Sequence, residues 1–225
     1  MAHNMQQFIR RLVAQGTSVR PLPHPWIRAT TWCGVSLPVL GVIVLAMSPS
    51  AGSLWTHVDR RLMLEQLAAL ATGVTAAAAA FATTVPGYRR GIVLFPLAPL
   101  AVWLGDLGQW CLQNNFASDF RHGSLIAHWG CLPATMLVGG FPAAMMVMML
   151  RRGAPLMPRL TTVLAAVAAS GLGNFGVRFV HAADASVVVL AWHFSAVFVL
   201  SGLSAAAGRS LFNWRQLADR SHTVA

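Results

Sequence analysis

Six apolar runs, each close to the length of a bilayer crossing, constrain this chain more than any other feature. They fall at 29–47, 62–85, 91–111, 125–150, 160–180 and 185–207, and a helix needs roughly 20 apolar residues to cross the hydrocarbon layer. The fold class they imply is an all-α integral membrane protein: six transmembrane helices in one bundle, with amino and carboxyl termini cytoplasmic. Only 10% of the 225 residues are charged, where a soluble domain carries about 25%. That composition excludes an ordinary cytosolic enzyme, a disordered regulator and a disulfide scaffold. The three cysteines are too few for a disulfide framework and fit no zinc module.

The first run resembles a signal-peptide core, with Ser48-Pro49-Ser50-Ala51 as a candidate cleavage region. A long segment precedes it, however, and it exceeds the usual apolar length of about 7–15 residues. It is therefore expected to remain as a helix. Small residues from Ala76 to Ala80 suit the second run to close helix packing. Pro38, Pro96, Pro99, Pro133 and Pro142 lie inside runs, where neighbouring helices can satisfy the carbonyls they free. Short connections predict that sequential helices are antiparallel neighbours.

The net charge of +10 comes from arginines without a single lysine. They occur in ones and twos between apolar runs, so no nucleic-acid patch forms and direct nucleic-acid binding is not expected. Arg10, Arg11, Arg20, Arg28, Arg89, Arg90, Arg151, Arg152, Arg159, Arg209, Arg215 and Arg220 fall on one side of the six runs. Arg60, Arg61, Arg121 and Arg178 fall on the other. The positive-inside bias places the first group, and both termini, in the cytoplasm. The expected domains are a cytoplasmic tail over 1–28, a membrane domain over 29–207 and a C-terminal tail over 208–225.

Within the first tail, Met5, Phe8, Ile9, Leu12 and Val13 recur at the spacing of one helix face. Gln6, Gln7, Arg10 and Arg11 occupy the opposite face, and Gly16 is placed to end the helix. A basic amphipathic helix of this kind can lie on anionic lipid or fit a groove on a partner. The segment Val19-Arg20-Pro21-Leu22-Pro23-His24-Pro25-Trp26 cannot be helical through its three prolines and reads as a stiff extended strut. It ends at Trp26 and Arg28, expected interfacial anchors of the first span.

The tail helix, the Val19-Arg20-Pro21-Leu22 segment, Arg28-Ala29 and Trp32 together resemble the negative regulator of sigma F family. The likeness continues at Val85-Pro86-Gly87 with Arg89-Arg90, at Leu150-Arg151-Arg152-Gly153-Ala154-Pro155, and at Trp192-His193. The resemblance implies a six-span anti-sigma factor of the bacterial inner membrane. Such a protein holds an extracytoplasmic-function sigma factor away from RNA polymerase until a stress signal releases it. On that basis Met5, Phe8, Ile9, Leu12 and Val13, continued by Val19, Arg20, Pro21 and Leu22, are the expected partner contacts, with Arg10 and Arg11 adding charge complementarity. The chain departs from the family pattern at His181-Ala182-Ala183-Asp184, where no thiol follows the histidine.

Under the expected topology Glu65, Asp106, Cys111, His128, Cys131, Arg178, His181 and His193 gather in the outer half of the membrane. Ionisable groups there face the bundle interior with partners. His128 and Cys131 are three apart on one helix face, and histidine with thiolate suits soft or borderline metals. Cys111, His128, Cys131 and His193 are thus candidates for sensing a thiophilic ion, oxidant or proton. The plainer alternative has Glu65, Arg178 and His181 reaching the interface while Asp106 and His193 satisfy backbone or indole groups. Cys33, toward the cytoplasmic end, reads as an inert buried thiol. No nucleophile elbow, zinc-protease motif, phosphate loop or paired acids point to catalysis, and no resident cofactor is expected. The remaining alternatives are a transporter with helices broken at Gly139-Gly140 or Gly171 to Gly173, and a haem protein ligated by His128 and His193.

Overall fold

The computed structural model describes residues 5–7, 9–10, 14, 22–47, 60–113, 131–153 and 155–180. All regular structure among them is helical: α1 (Pro25–Met47), α2 (Arg60–Ala82), a 3-10 segment (Arg90–Leu94), α3 (Leu97–Gln113), α4 (Cys131–Arg151) and α5 (Pro158–Val180). These correspond to the first five apolar runs; the sixth, 185–207, lies outside the described residues. Pro25–Ala46 and Arg60–Ala82 are long and apolar enough to cross a membrane by length and composition, whereas Gly91–Asp106 and Val138–Arg151 are shorter apolar stretches.

Local chemistry sets the boundaries. Pro25 and Pro158 open α1 and α5 at positions where a missing N–H leaves no bond unmade. The second run extends to 85 by composition, yet α2 stops at Ala82. Its last turn tightens there, with Thr84 N donating to the Phe81 carbonyl and Val85 N to that of Ala82. A turn follows in which Tyr88 N reaches the Val85 carbonyl at 3.4 Å. Pro86 takes the second position and Gly87, at φ +79°, the third, the arrangement of a type II turn. The third run is interrupted because Pro96 has no N–H to continue the 3-10 segment, and α3 restarts with Leu100 N on the Pro96 carbonyl. By contrast α4 and α5 pass unbroken through Gly139-Gly140 and Gly171 to Gly173, which corrects the broken-helix expectation.

Cross-contacts fix the relative directions. Arg28 near the start of α1 reaches Thr84 just beyond α2 and Met149 in the last turn of α4. Thr83 meets Thr161 in the first turn of α5, and Trp26 stacks edge-on against Phe95 before α3. The starts of α1, α3 and α5 and the ends of α2 and α4 therefore share one end of the bundle, called here the tail end. At the far end Arg61 pairs with Asp106.

The core centres on α2, where Ala76 to Ala80 and Phe81 are fully buried. Without side-chain bulk the backbones nearly touch. A Cβ added at Gly171 would lie 2.7 Å from the Ala69 carbonyl oxygen and 2.9 Å from Gly73 N, and one at Gly173 3.2 Å from Gly139 Cα. Around this seam pack Trp32, Leu40, Val138, Met146, Leu150 and Leu172. Trp32 also donates its indole N–H to the Pro142 carbonyl at 3.0 Å, joining α1 to α4.

Candidate functional site at the root of the tail

The tail enters the bundle beside one buried cation. Arg28, expected as an interfacial anchor, is only 5% exposed. One terminal nitrogen donates to Thr84 Oγ1 at 2.9 Å and the other to the Met149 carbonyl at 2.7 Å. The guanidinium carbon stands 4.4 Å from the centre of the Phe81 ring, within cation–π range. Among the described residues no carboxylate pairs with it. Neutral acceptors and a ring face thus carry the charge, and hydrogen bonds to a charged group contribute about 1.5–3 kcal/mol each.

Thr84 is held for this task. Its hydroxyl donates to the Phe81 carbonyl at 2.7 Å while accepting from Arg28. Gly153, after α4, leaves it room: a Cβ there would sit 2.9 Å from Thr84 Cβ. Next to it, Leu156 N donates to the Thr83 carbonyl at 3.2 Å, and the hydroxyls of Thr83 and Thr161 are 2.6 Å apart. The Pro86-Gly87 turn carries Tyr88 back over the root, with its hydroxyl 3.4 Å from His24 Nε2. Outside this knot Arg89, Arg151, Arg152 and Arg159 are exposed. Val85-Pro86-Gly87 and Arg151-Arg152-Gly153, far apart in sequence, therefore adjoin Thr84 and Met149, the residues that hold Arg28.

Of the expected partner contacts, Met5 and Ile9 are helical and 61% and 51% exposed, with Arg10 helical and exposed beside them. Leu22 is 40% exposed and leads to α1 through Pro23 and His24, which are not helical. The strut ends there, because Pro25 and Trp26 already belong to α1. Phe8, Arg11, Leu12, Val13, Val19, Arg20 and Pro21 lie outside the described residues.

At the far end Asp106 accepts from Arg61, whose Nη2 also reaches the Asp106 carbonyl at 2.9 Å. The aspartate thus pairs with a cation and not with an indole. Among the described residues Trp103 Nε1, both amide atoms of Gln66 and Asn174 Nδ2 are buried without hydrogen-bond partners. Glu65 is buried, in contrast to an interfacial position. Cys111 falls in the last turn of α3 and Cys131 opens α4, while His128 and His193 lie outside the described residues. Among the described residues no three potential ligands assemble as a metal site. Cys33 is a free, buried thiol.

Sequence reasoning missed Thr84, Gly153 and the Met149 carbonyl. Thr84 borders one family motif and Gly153 lies inside another, but neither a threonine nor a glycine states what it packs against. No curated protein and no solved structure matches the chain. The profile of the negative regulator of sigma F family matches residues 12–214, from within the tail to beyond the last apolar run. The chain belongs to the negative regulator of sigma F family, whose name assigns it negative regulation of a sigma factor.

Proposed function

We propose that the chain is a membrane anti-sigma factor that sequesters an extracytoplasmic-function sigma factor and releases it on a stress signal. It acts by binding, not catalysis, and needs no resident cofactor. The observation that carries this reading is the exposed apolar pair Met5 and Ile9 on the helical tail of a chain in this family. Phe8, Leu12 and Val13 extend that face by helical spacing, and Val19 to Leu22 continue the contact. Arg10, Arg11 and Arg20 steer the encounter, as rim charges act on association rate more than on affinity.

In this proposal six spans anchor the protein in the bacterial inner membrane with both termini cytoplasmic, as the arginine distribution favours. A reporter fused after Ala225 is then active in the cytoplasm. The direct test is capture of a sigma factor by the full-length protein, together with sigma-dependent transcription in cells carrying Phe8→Ala or Leu12→Asp. Both variants release transcription while the protein stays in the membrane. Normal inhibition by both would assign the tail to lipid anchoring, and a Soret band in the purified protein would favour haem binding. The signal is proposed to act through Cys111, His128, Cys131 and His193 on the periplasmic side. Derepression by cadmium or a thiol oxidant is then lost in Cys111→Ser/Cys131→Ser; an unchanged response removes the cluster from the mechanism.

A further inference from the structure

We infer that Arg28 is a positioning residue for the tail: its guanidinium, docked on Thr84, the Met149 carbonyl and the Phe81 ring, fixes where the partner-binding segment leaves the bundle. The tail's role as that segment rests on the reading above; the docking itself does not.

Three observations converge on it. A side chain in the first turn of α1 is buried at the junction of the α2 and α4 ends. Its charge is held by groups from two different helices, so it can be fully satisfied only while those ends keep their spacing. The surroundings are also shaped to admit it, since Gly153 supplies the space in which Thr84 stands and Thr84 is oriented by its own bond to the Phe81 carbonyl. A buried charge stripped of one partner is expensive, so the docked and undocked arrangements are discrete. A shift of α4 against the end of α2 therefore reaches the tail by removing one acceptor from Arg28. A ligand elsewhere moves the tail only to the extent that it favours one spacing over the other.

The test uses the full chain in lipid nanodiscs, with native cysteines replaced by alanine. Nitroxides at Pro23→Cys and Arg159→Cys, both exposed positions at the tail end, report the distance from the root to α5. The unsubstituted root gives a single narrow distribution. Thr84→Val keeps the shape but removes the acceptor, and Gly153→Ala wedges Thr84 aside. Each raises the undocked population roughly tenfold, the change carried by one lost hydrogen bond to a charged group. Both broaden the distribution and weaken sigma-factor inhibition in cells. Thr72→Val is the control. It deletes a buried hydroxyl bond to the Ala68 carbonyl within α2, so it lowers stability but leaves distance and inhibition unchanged.

Arg28→Gln gives the largest broadening, and if that variant fails to reach the membrane Thr84→Val decides the matter. An unchanged distribution in Thr84→Val and Gly153→Ala overturns the docking role. A broadened one with full inhibition overturns the claim that root placement governs binding. Failure of the sigma-factor reading shows separately, as normal inhibition by Phe8→Ala and Leu12→Asp with the root distances intact.

Discussion

Adding a methyl group to one of two helical glycines should move stability in opposite directions. At Gly171 a new Cβ would stand 2.7 Å from the Ala69 carbonyl oxygen, 2.9 Å from Gly73 N and 3.0 Å from Gly73 Cα. Comfortable carbon contacts lie at roughly 3.5 Å, so α2 and α5 must separate by several tenths of an ångström or more. All three atoms are backbone, and none can swing away as a side-chain tip would. Overpacking of this kind costs about 1–3 kcal/mol, and the absence of a movable neighbour puts Gly171→Ala near the upper end. Alanine restores about 1 kcal/mol of helix propensity, which leaves a net loss of about 2 kcal/mol.

At Gly140, on an exposed face of α4, the same methyl meets nothing within 4 Å among the described residues. Only the propensity gain of about 0.5–1 kcal/mol remains. For a chain of this size 1 kcal/mol corresponds to about 2–4 °C in Tm. Gly171→Ala should therefore melt about 4–8 °C lower than the parent, and Gly140→Ala about 1–4 °C higher. The assay is thermal unfolding in detergent or nanodiscs at fixed lipid, followed by intrinsic tryptophan fluorescence. Shifts of the same sign for the two alanines would refute the seam as the origin of the effect.

Three further outcomes follow from single contacts. Among the described residues Gln66 has both amide atoms buried and unpartnered, so Gln66→Leu should stabilise by about 1–2 kcal/mol, read as a higher midpoint in the same melt. Gly87 adopts φ +79°, so Gly87→Ala should cost about 1–2 kcal/mol. That loss should appear in the melt together with weaker quenching between the loop and a label at the root. The Arg61–Asp106 pair is 3.4 Å apart and half-buried; a double-mutant cycle with Arg61→Gln and Asp106→Asn should give a coupling of about 0.5–1 kcal/mol that shrinks in high salt.

Much of the fold was legible because apolar length is a one-dimensional property. The runs at 29–47 and 160–180 need no knowledge of neighbours to be recognised, and α1 and α5 follow them closely. Which face of each helix meets which partner was not legible. A helix apolar on every side, such as α4, carries no polar stripe to mark its outside, so Gly139 at a crossing and Gly140 facing outward look alike in the sequence. Arg28 was misjudged for a related reason. An arginine at the edge of an apolar run normally extends toward water, and its burial depends on Thr84 and Met149, which lie 56 and 121 positions away. In the tail the periodicity predicts a helix; the described residues 5–7, 9–10 and 14 are helical, with Met5 and Ile9 exposed. The proposed sensor rests on residue chemistry alone, since two of its four members fall outside the described residues.

The glycine seam also decides which parts of the bundle can serve as machinery. Helices in backbone contact have few side chains between them to repack, so the seam that joins α2 to α5 at Gly73 and Gly171, and α5 to α4 at Gly173 and Gly139, acts as a frame. Thr83, Thr84 and Leu156 are mounted on its tail end through their contacts across the two chain segments. The remaining acceptor of Arg28, the Met149 carbonyl, belongs to α4, so the root of the tail is held by two helices that each meet α5 through glycine. Cys131 opens the same helix, about 27 Å from Met149 at 1.5 Å per residue. Between them Pro142 interrupts the backbone ladder, and its carbonyl is held by the Trp32 indole. The Met149 end of α4 therefore lies beyond Pro142 from the glycine contact with α5, and what holds it to α1 is the pair of bonds from Trp32 and Arg28.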